Sequence, residues 1–270
     1  MKLGLFTLPY QYMELERAFA DAKLFGYDFV ELWGGRPHAF VFDLLKGGLK
    51  KMETLIEKYS MPVKVFTPEH NAYPYNYMLG DLNQWVDCMD YFSACAQVTQ
   101  KLGAEYMLVS IGHGVVDAPA ENAKRLLRSM EALVRIAEAE DVTIVLETLT
   151  KFESNVCTSL SELDTLLKRI DSPKLCAALD MVAPFTCGED PAEYARVLGD
   201  KLRHVHLVDS DGISDTHLMP GEGKIDLKAV LSELRANGYG GGATIELVTH
   251  YIDEPSRYAE LAIKKARELL

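Results

Sequence analysis

Several features are scarce in this 270-residue chain, and each scarcity excludes a class of function. No apolar run approaches the roughly 18 residues a bilayer span requires. The opening Met1-Lys2-Leu3-Gly4-Leu5-Phe6-Thr7 is too short for a secretory leader and has no cleavage site. It reads as a strand, and the expected location is the cytoplasm. Basic charge is sparse: the formal net charge is −12, with no lysine- or arginine-rich stripe to displace counterions, so nucleic acid is not an expected partner. The five cysteines, Cys88, Cys95, Cys157, Cys176 and Cys187, are odd in number and show no C-x-x-C spacing. They read as reduced thiols rather than as disulfides or zinc ligands. Low-complexity segments and long linkers are lacking. So is a glycine-rich phosphate turn after the first strand, which continues into Leu8-Pro9-Tyr10. No cationic cluster or helix-start glycine nest marks a phosphate site.

What the chain does have is a regular alternation. Hydrophobic residues make up 48% of it, enough for a substantial core. Strands are expected at 2–7, 29–33, 62–66, 106–110, 143–146, 175–179, 202–208 and 243–248. Helices are expected between them. One carries Leu15, Ala18, Phe19 and Ala22 on a single face and is stopped by Gly26. The others span 49–59, 84–102, 121–140, 159–170, 191–198, 227–237 and 254–270. Strands that alternate with helices imply a parallel sheet. Eight units in this length imply one closed (β/α)₈ TIM barrel covering 1–270, with a doubly wound open sheet as the structural alternative.

In such a barrel the active site lies at the C-terminal ends of the strands. Strand five ends Val145-Leu146-Glu147, strand six Ala178-Leu179-Asp180 and strand eight Thr244-Ile245-Glu246, while strand seven carries His204-Val205-His206. Adjacent strands lie about 4.8 Å apart, so four consecutive strand ends can surround one ion. Two Glu, one Asp and one His suit a divalent ion such as Mn²⁺, with Mg²⁺, Co²⁺ and Ni²⁺ as alternatives. A dication also keeps three clustered carboxylates ionised against their mutual repulsion. His204 points the same way as His206 and reads as its partner inside the barrel. His38, His70, His113 and His217 fall in strand-following loops and read singly as hydrogen-bonding loop residues; His113 is kept among the substrate contacts. Phe6, Trp33 and Phe66, near the strand mouths, are candidate walls of a pocket.

This quartet resembles that of the xylose-isomerase-like sugar isomerases and epimerases, and the chain is similar in particular to the fructoselysine 3-epimerase branch. The stretches that carry the likeness are Trp33-Gly34-Gly35-Arg36-Pro37-His38-Ala39-Phe40, Thr67-Pro68-Glu69 with Asn71 and Tyr73-Pro74-Tyr75-Asn76, and Leu146-Glu147 with Leu149-Thr150 and Glu153-Ser154-Asn155-Val156. They continue in Val208-Asp209-Ser210-Asp211-Gly212, Ser214-Asp215-Thr216-His217, Pro220-Gly221-Glu222-Gly223-Lys224 and Glu246-Leu247-Val248-Thr249 with Tyr251 and Glu254-Pro255. The resemblance implies reversible inversion at C3 of an amine-linked ketose of the fructoselysine/psicoselysine type, through a cis-enediolate. It implies Glu147 and Glu246 as the two proton-transferring carboxylates, Asp180 and His206 as ligands only, and Glu153 and Asn155 as contacts to substrate hydroxyls. It further implies a homo-oligomer.

Two positions depart from the free-ketohexose 3-epimerase pattern. Ala183 stands where those enzymes usually carry a His, and Asp209-Ser210-Asp211-Gly212 stands where an Arg is usual. The acidic loop suggests Asp209 and Asp211 as contacts for a cationic substrate, the alternative being that they cap a turn. Free-ketohexose 3-epimerisation and aldose–ketose isomerisation remain open. More remote is a metal-dependent apurinic endonuclease, which would share Asp215-Thr216-His217 and Gly221-Glu222-Gly223.

Overall fold

The computed structural model describes residues 1–270. Its strands are β1 (Lys2–Phe6), β2 (Phe29–Gly34), β3 (Val63–Pro68), β4 (Tyr106–Ser110), β5 (Ile144–Glu147), β6 (Leu175–Asp180), β7 (Leu202–His206) and β8 (Gly242–Ile245). Each pairs in parallel with the next, and β8 returns to β1 through Lys2↔Gly242 to Leu5↔Ile245. That closure excludes the open doubly wound sheet and establishes the TIM barrel. Around the strands lie α1 (Leu15–Phe25), α2 (Val41–Asp43), α3 (Leu49–Tyr59), α4 (Leu82–Leu102) and α5 (Pro119–Ala139). The ring is completed by α6 (Leu160–Ile170), α7 (Val182–Thr186), α8 (Pro191–Leu198), α9 (Leu227–Ala236) and α10 (Pro255–Leu269). No helix is long and apolar enough to cross a membrane.

Local chemistry sets the element ends. Helix α1 buries Leu15, Ala18, Phe19 and Ala22 against the strands and stops at Gly26, whose φ of 81° is left-handed and costs glycine little. Burying Phe19 alone contributes about 2–3 kcal/mol. Helices α4 and α6 open with reciprocal capping boxes, Asp81 with Gln84 and Ser159 with Glu162. The Asp81 box explains why α4 starts at Leu82, two residues ahead of the hydrophobic periodicity. Strands β7 and β8 end earlier than their apolar runs suggest. Beyond His206 the chain turns into a loop in which Asp209 bridges to Leu218, and beyond β8 residues Thr249–Tyr251 form a 3₁₀ turn.

Side chains inside the barrel divide into two sectors. Val65, Leu108, Val145, Cys176 and Ala178 form an apolar cluster contributed by β3 to β6. Facing β2 and β7, the buried residues are Glu31, His204 and His206. Toward the N-terminal end, the Phe29 ring lies so close to β1 that a Cβ on Gly4 would stand 2.2 Å from it. Glycine is therefore required there by packing, not by backbone torsion.

Candidate active site and metal centre

The strand register brings the ligand candidates together. Glu147 lies opposite Ala178, two residues before Asp180; Asp180 lies opposite His206; His206 lies opposite Thr244, two residues before Glu246. Side chains two residues apart share a face, so all four point into the C-terminal mouth. One donor atom from each of Glu147, Asp180, His206 and Glu246 lies within 4.8 Å of the others. The His206 Nδ1 stands 2.9 Å from Glu147 Oε1, 2.8 Å from Glu246 Oε2 and 3.6 Å from Asp180 Oδ2.

The remaining atoms of these groups are held from behind. Ser110 donates its hydroxyl to Glu147 Oε2 at 3.0 Å. Asp180 Oδ1 accepts from the backbone N–H of Val182 at 2.6 Å and of Ala183 at 3.4 Å, at the start of α7. His70, a loop histidine in the sequence, is buried: it takes the Ser110 N–H on Nε2 at 2.7 Å, and Nδ1 donates to Pro68 O at 2.6 Å. Two buried atoms of the quartet, Glu147 Oε1 and His206 Nδ1, find no hydrogen-bond partner. Orphaned buried acceptors at the focus of three carboxylates and an imidazole are what a divalent cation satisfies, so the donor set fits such an ion.

Electrostatics point the same way. Burial alone would depress the His206 imidazole, yet Glu246, Glu31 and Glu147 hold its pKa well above the usual value. Burial raises Glu246 to about 7 against the pull of His206 and His217. Burial also works against the Asp180 carboxylate, but His217 and His206 keep its pKa well below the usual range. A site made only of protein groups thus concentrates protons that a dication would replace.

Above the quartet opens a cavity of about 330 Å³. Of the residues expected to touch substrate, Phe6, Trp33 and Glu153 line it. The Phe6 ring lies 6.3 Å from that of His206, and the Trp33 indole N–H donates to Glu69 Oε2 at 2.5 Å. Glu153 stands at the mouth, where partial desolvation and the nearby Asp215 and Glu147 push its carboxyl up to about 7.

The other five lie outside the cavity lining. Phe66 is wholly buried and packs against Gly34. Asn155 turns away to accept the Gly114 N–H at 2.8 Å, and His113 Nδ1 donates to Gly114 O at 2.7 Å. Asp209 is 1% exposed and spends its carboxylate on the N–H groups of Ser210, Gly221 and Ile225, while a Cβ on Gly223 would meet it at 2.3 Å. Asp211 accepts from the N–H groups of Ile213 and Ser214 and the Ser214 hydroxyl, all at 2.8 Å. Both aspartates build the loop after β7; neither lines the cavity.

The sequence reading also passed over residues that the cavity gathers. His217 places Nε2 3.1 Å from Asp180 Oδ2 and 3.4 Å from Glu246 Oε2. Asp215 lines the cavity with a buried Oδ1 that lacks a partner. Their signal was present in Asp215-Thr216-His217, two ionisable residues close together in the loop after β7, and both line the cavity. Glu31, in the middle of β2, donates nothing and accepts from His204, His206 and Thr67.

Comparison with known proteins bears on the family and the fold. Residues 19–269 match the model of the xylose isomerase-like TIM barrel. The chain is 42% identical over 271 residues to fructoselysine 3-epimerase of Shigella flexneri, covering 100% of this chain and 98% of that protein. The same figures hold for fructoselysine 3-epimerase of Escherichia coli O157:H7. Among solved structures, a D-tagatose 3-epimerase-like protein superposes with a TM-score of 0.81 at 23% identity, over 98% of this chain and 100% of the other.

Proposed function

The chain belongs to the xylose isomerase-like TIM-barrel family of sugar epimerases and isomerases, and from that premise we propose that it inverts C3 of an amine-linked ketose of the fructoselysine/psicoselysine type. The observation that carries the choice of substrate class is the charge of the cavity. Its lining includes Glu69, Glu147, Glu153, Asp180, Asp215 and Glu246, and no lysine or arginine. A dication offsets part of that charge, and a substrate ammonium offsets more. The 42% identity to fructoselysine 3-epimerases supports the same reading. Ala183, which lines the cavity, leaves open space where free-ketohexose enzymes usually carry a His. A nuclease role gains no support from a lining that has no lysine or arginine to meet a phosphate backbone.

Glu147, Asp180, His206 and Glu246 would hold the ion, with Mn²⁺ our choice. When bound, a divalent ion polarises the ketose carbonyl and stabilises negative charge as the C3 proton leaves. The chain's own groups do the rest. Glu147 and Glu246 approach from β5 and from the end of β8, on either side of His206, so one carboxylate takes the C3 proton and the other returns one to the opposite face. Ser110 fixes the angle of Glu147, and Phe6 and Trp33 exclude water from one wall. Glu153, which lines the cavity, would meet the polar end of the substrate.

The test is to incubate the Mn²⁺-loaded protein with fructoselysine in D₂O and follow C3 by NMR. Deuterium at C3 together with the C3 epimer, both lost in Glu147→Gln and in Glu246→Gln, is the expected result. Absence of exchange in folded, metallated wild type rules out the amine-linked substrate. The same assay on free ketohexoses then decides between the remaining sugar classes.

A further inference from the structure

Opposite the cavity, deep inside the barrel, Glu31 joins two histidines of β7. Its Oε2 lies 2.7 Å from His204 Nε2 and its Oε1 3.0 Å from His206 Nε2, and the Thr67 hydroxyl donates to Oε1 at 2.6 Å. All three charged or ring-bearing residues are at most 1% exposed. A carboxylate placed so far from water is tolerated only when its oxygens are engaged, and here both are. The backbone makes room for this arrangement at two irregular places. The β2–β3 register slips between Val30 and Glu31, and the β6–β7 register slips between Ala177 and Ala178, opposite Leu202 and His204. Bulges of this kind re-aim side chains, and these two stand beside the carboxylate and beside one of its histidines.

A carboxylate only accepts, so each Nε2 facing Glu31 must carry the hydrogen. For His206 the consequence is directional. With Nε2–H committed to Glu31, the ring nitrogen left for coordination is Nδ1, the atom found among Glu147, Asp180 and Glu246. We infer that Glu31 is a positioning residue for the metal centre, fixing both the ring orientation and the tautomer of His206, and that His204 locks Glu31 by occupying its second oxygen. This rests on the metal quartet proposed above but not on the identity of the sugar.

The experiment uses the full chain loaded with diamagnetic Zn²⁺ and has two readouts besides activity. Competition with a chromophoric chelator gives the affinity, and ¹⁵N–¹H correlation of the histidine rings shows which nitrogen of His206 carries hydrogen. In wild type, Nε2–H with a metal-shifted Nδ1 is expected. The isosteric Glu31→Gln should bind the ion about 10–100-fold more weakly and alter the His206 Nε2 signal while keeping its circular dichroism. His204→Leu, which leaves the Glu31–His206 contact but frees the carboxylate to swing, should lose affinity to a smaller degree. It carries the test if Glu31→Gln fails to fold. Unchanged affinity and ring signals in the folded variant overturn the inference. So does a wild-type His206 with hydrogen on Nδ1, or a second ion bound by Glu31, His204 and His206, which lie close enough to hold one. Wild type that binds no ion sinks the metal centre itself, an outcome distinct from failure of the positioning role.

Discussion

At the scale of single residues, position along a strand decided what the sequence could reveal. Glu147, Asp180 and Glu246 each follow a buried apolar run and stand where the strand meets its loop, so polarity at those points was a signal. Glu31 sits inside Phe29–Gly34 with apolar neighbours on both sides and was legible only as part of a strand. Nothing local tells such a residue from an edge-facing glutamate; its partners are on β7, far along the chain. Aspartates of the loop after β7 posed the reverse problem. Their charge suggested a ligand, yet Asp209 is turned inward onto backbone amides, an orientation no composition records. Glu153 yields a direct expectation. Its carboxyl, raised to about 7, is neutral below that value and ionised above it. The KM for a cationic ketose should therefore fall as pH rises through neutrality, by about 2–5-fold for a solvent-reached pair. Steady-state kinetics of Glu153→Gln should show that dependence flattened, with a free ketohexose less affected in either protein.

At the scale of elements, two contacts set limits on change. Asp209 ties the loop between β7 and α9 to itself through the amides of Gly221 and Ile225. Asp209→Ala leaves those buried donors without an acceptor, at a cost of about 2–4 kcal/mol in denaturant unfolding. Hydrogen exchange at both amides should accelerate beyond the global effect, and Asp211→Ala, at an exposed turn, should cost far less. In the barrel wall, Gly4→Ala drives a methyl into the Phe29 ring. Destabilisation of about 1–3 kcal/mol is expected, and pairing it with Phe29→Leu should recover part of the loss. Periodicity exposed the helices and strands well, but their ends belonged to caps and loops. The capping box of Asp81 extended α4, and the bridge from Asp209 to Leu218 shortened β7.

For the whole molecule, the quartet links four consecutive strands, so occupation by an ion should stabilise the barrel as a unit. An ion binding only the folded state adds about 2.7 kcal/mol at a concentration 100 times its Kd. Calorimetry with and without chelator should show a rise in Tm of several degrees on loading. Loading should shift Tm far less in Asp180→Ala, which removes one of the candidate ligands; an equal shift would mean that the ion sits elsewhere. Closure of the ring was readable from the count of β/α units, and is confirmed by the pairing of β1 with β8.

The ligand candidates all come from β5 to the end of β8, whereas Phe6, Trp33 and Glu69 belong to β1, β2 and the segment after β3. Part of the cavity wall is thus encoded ahead of every ligand candidate, whereas Glu153, Ala183 and Asp215 lie among them. A recombinant that takes its first three strand-following loops from a relative with another sugar, while keeping Glu31, inherits new walls around an unchanged reaction centre. Natural divergence has the same freedom: drift in the early coding sequence can try new substrates without first surrendering the old catalyst.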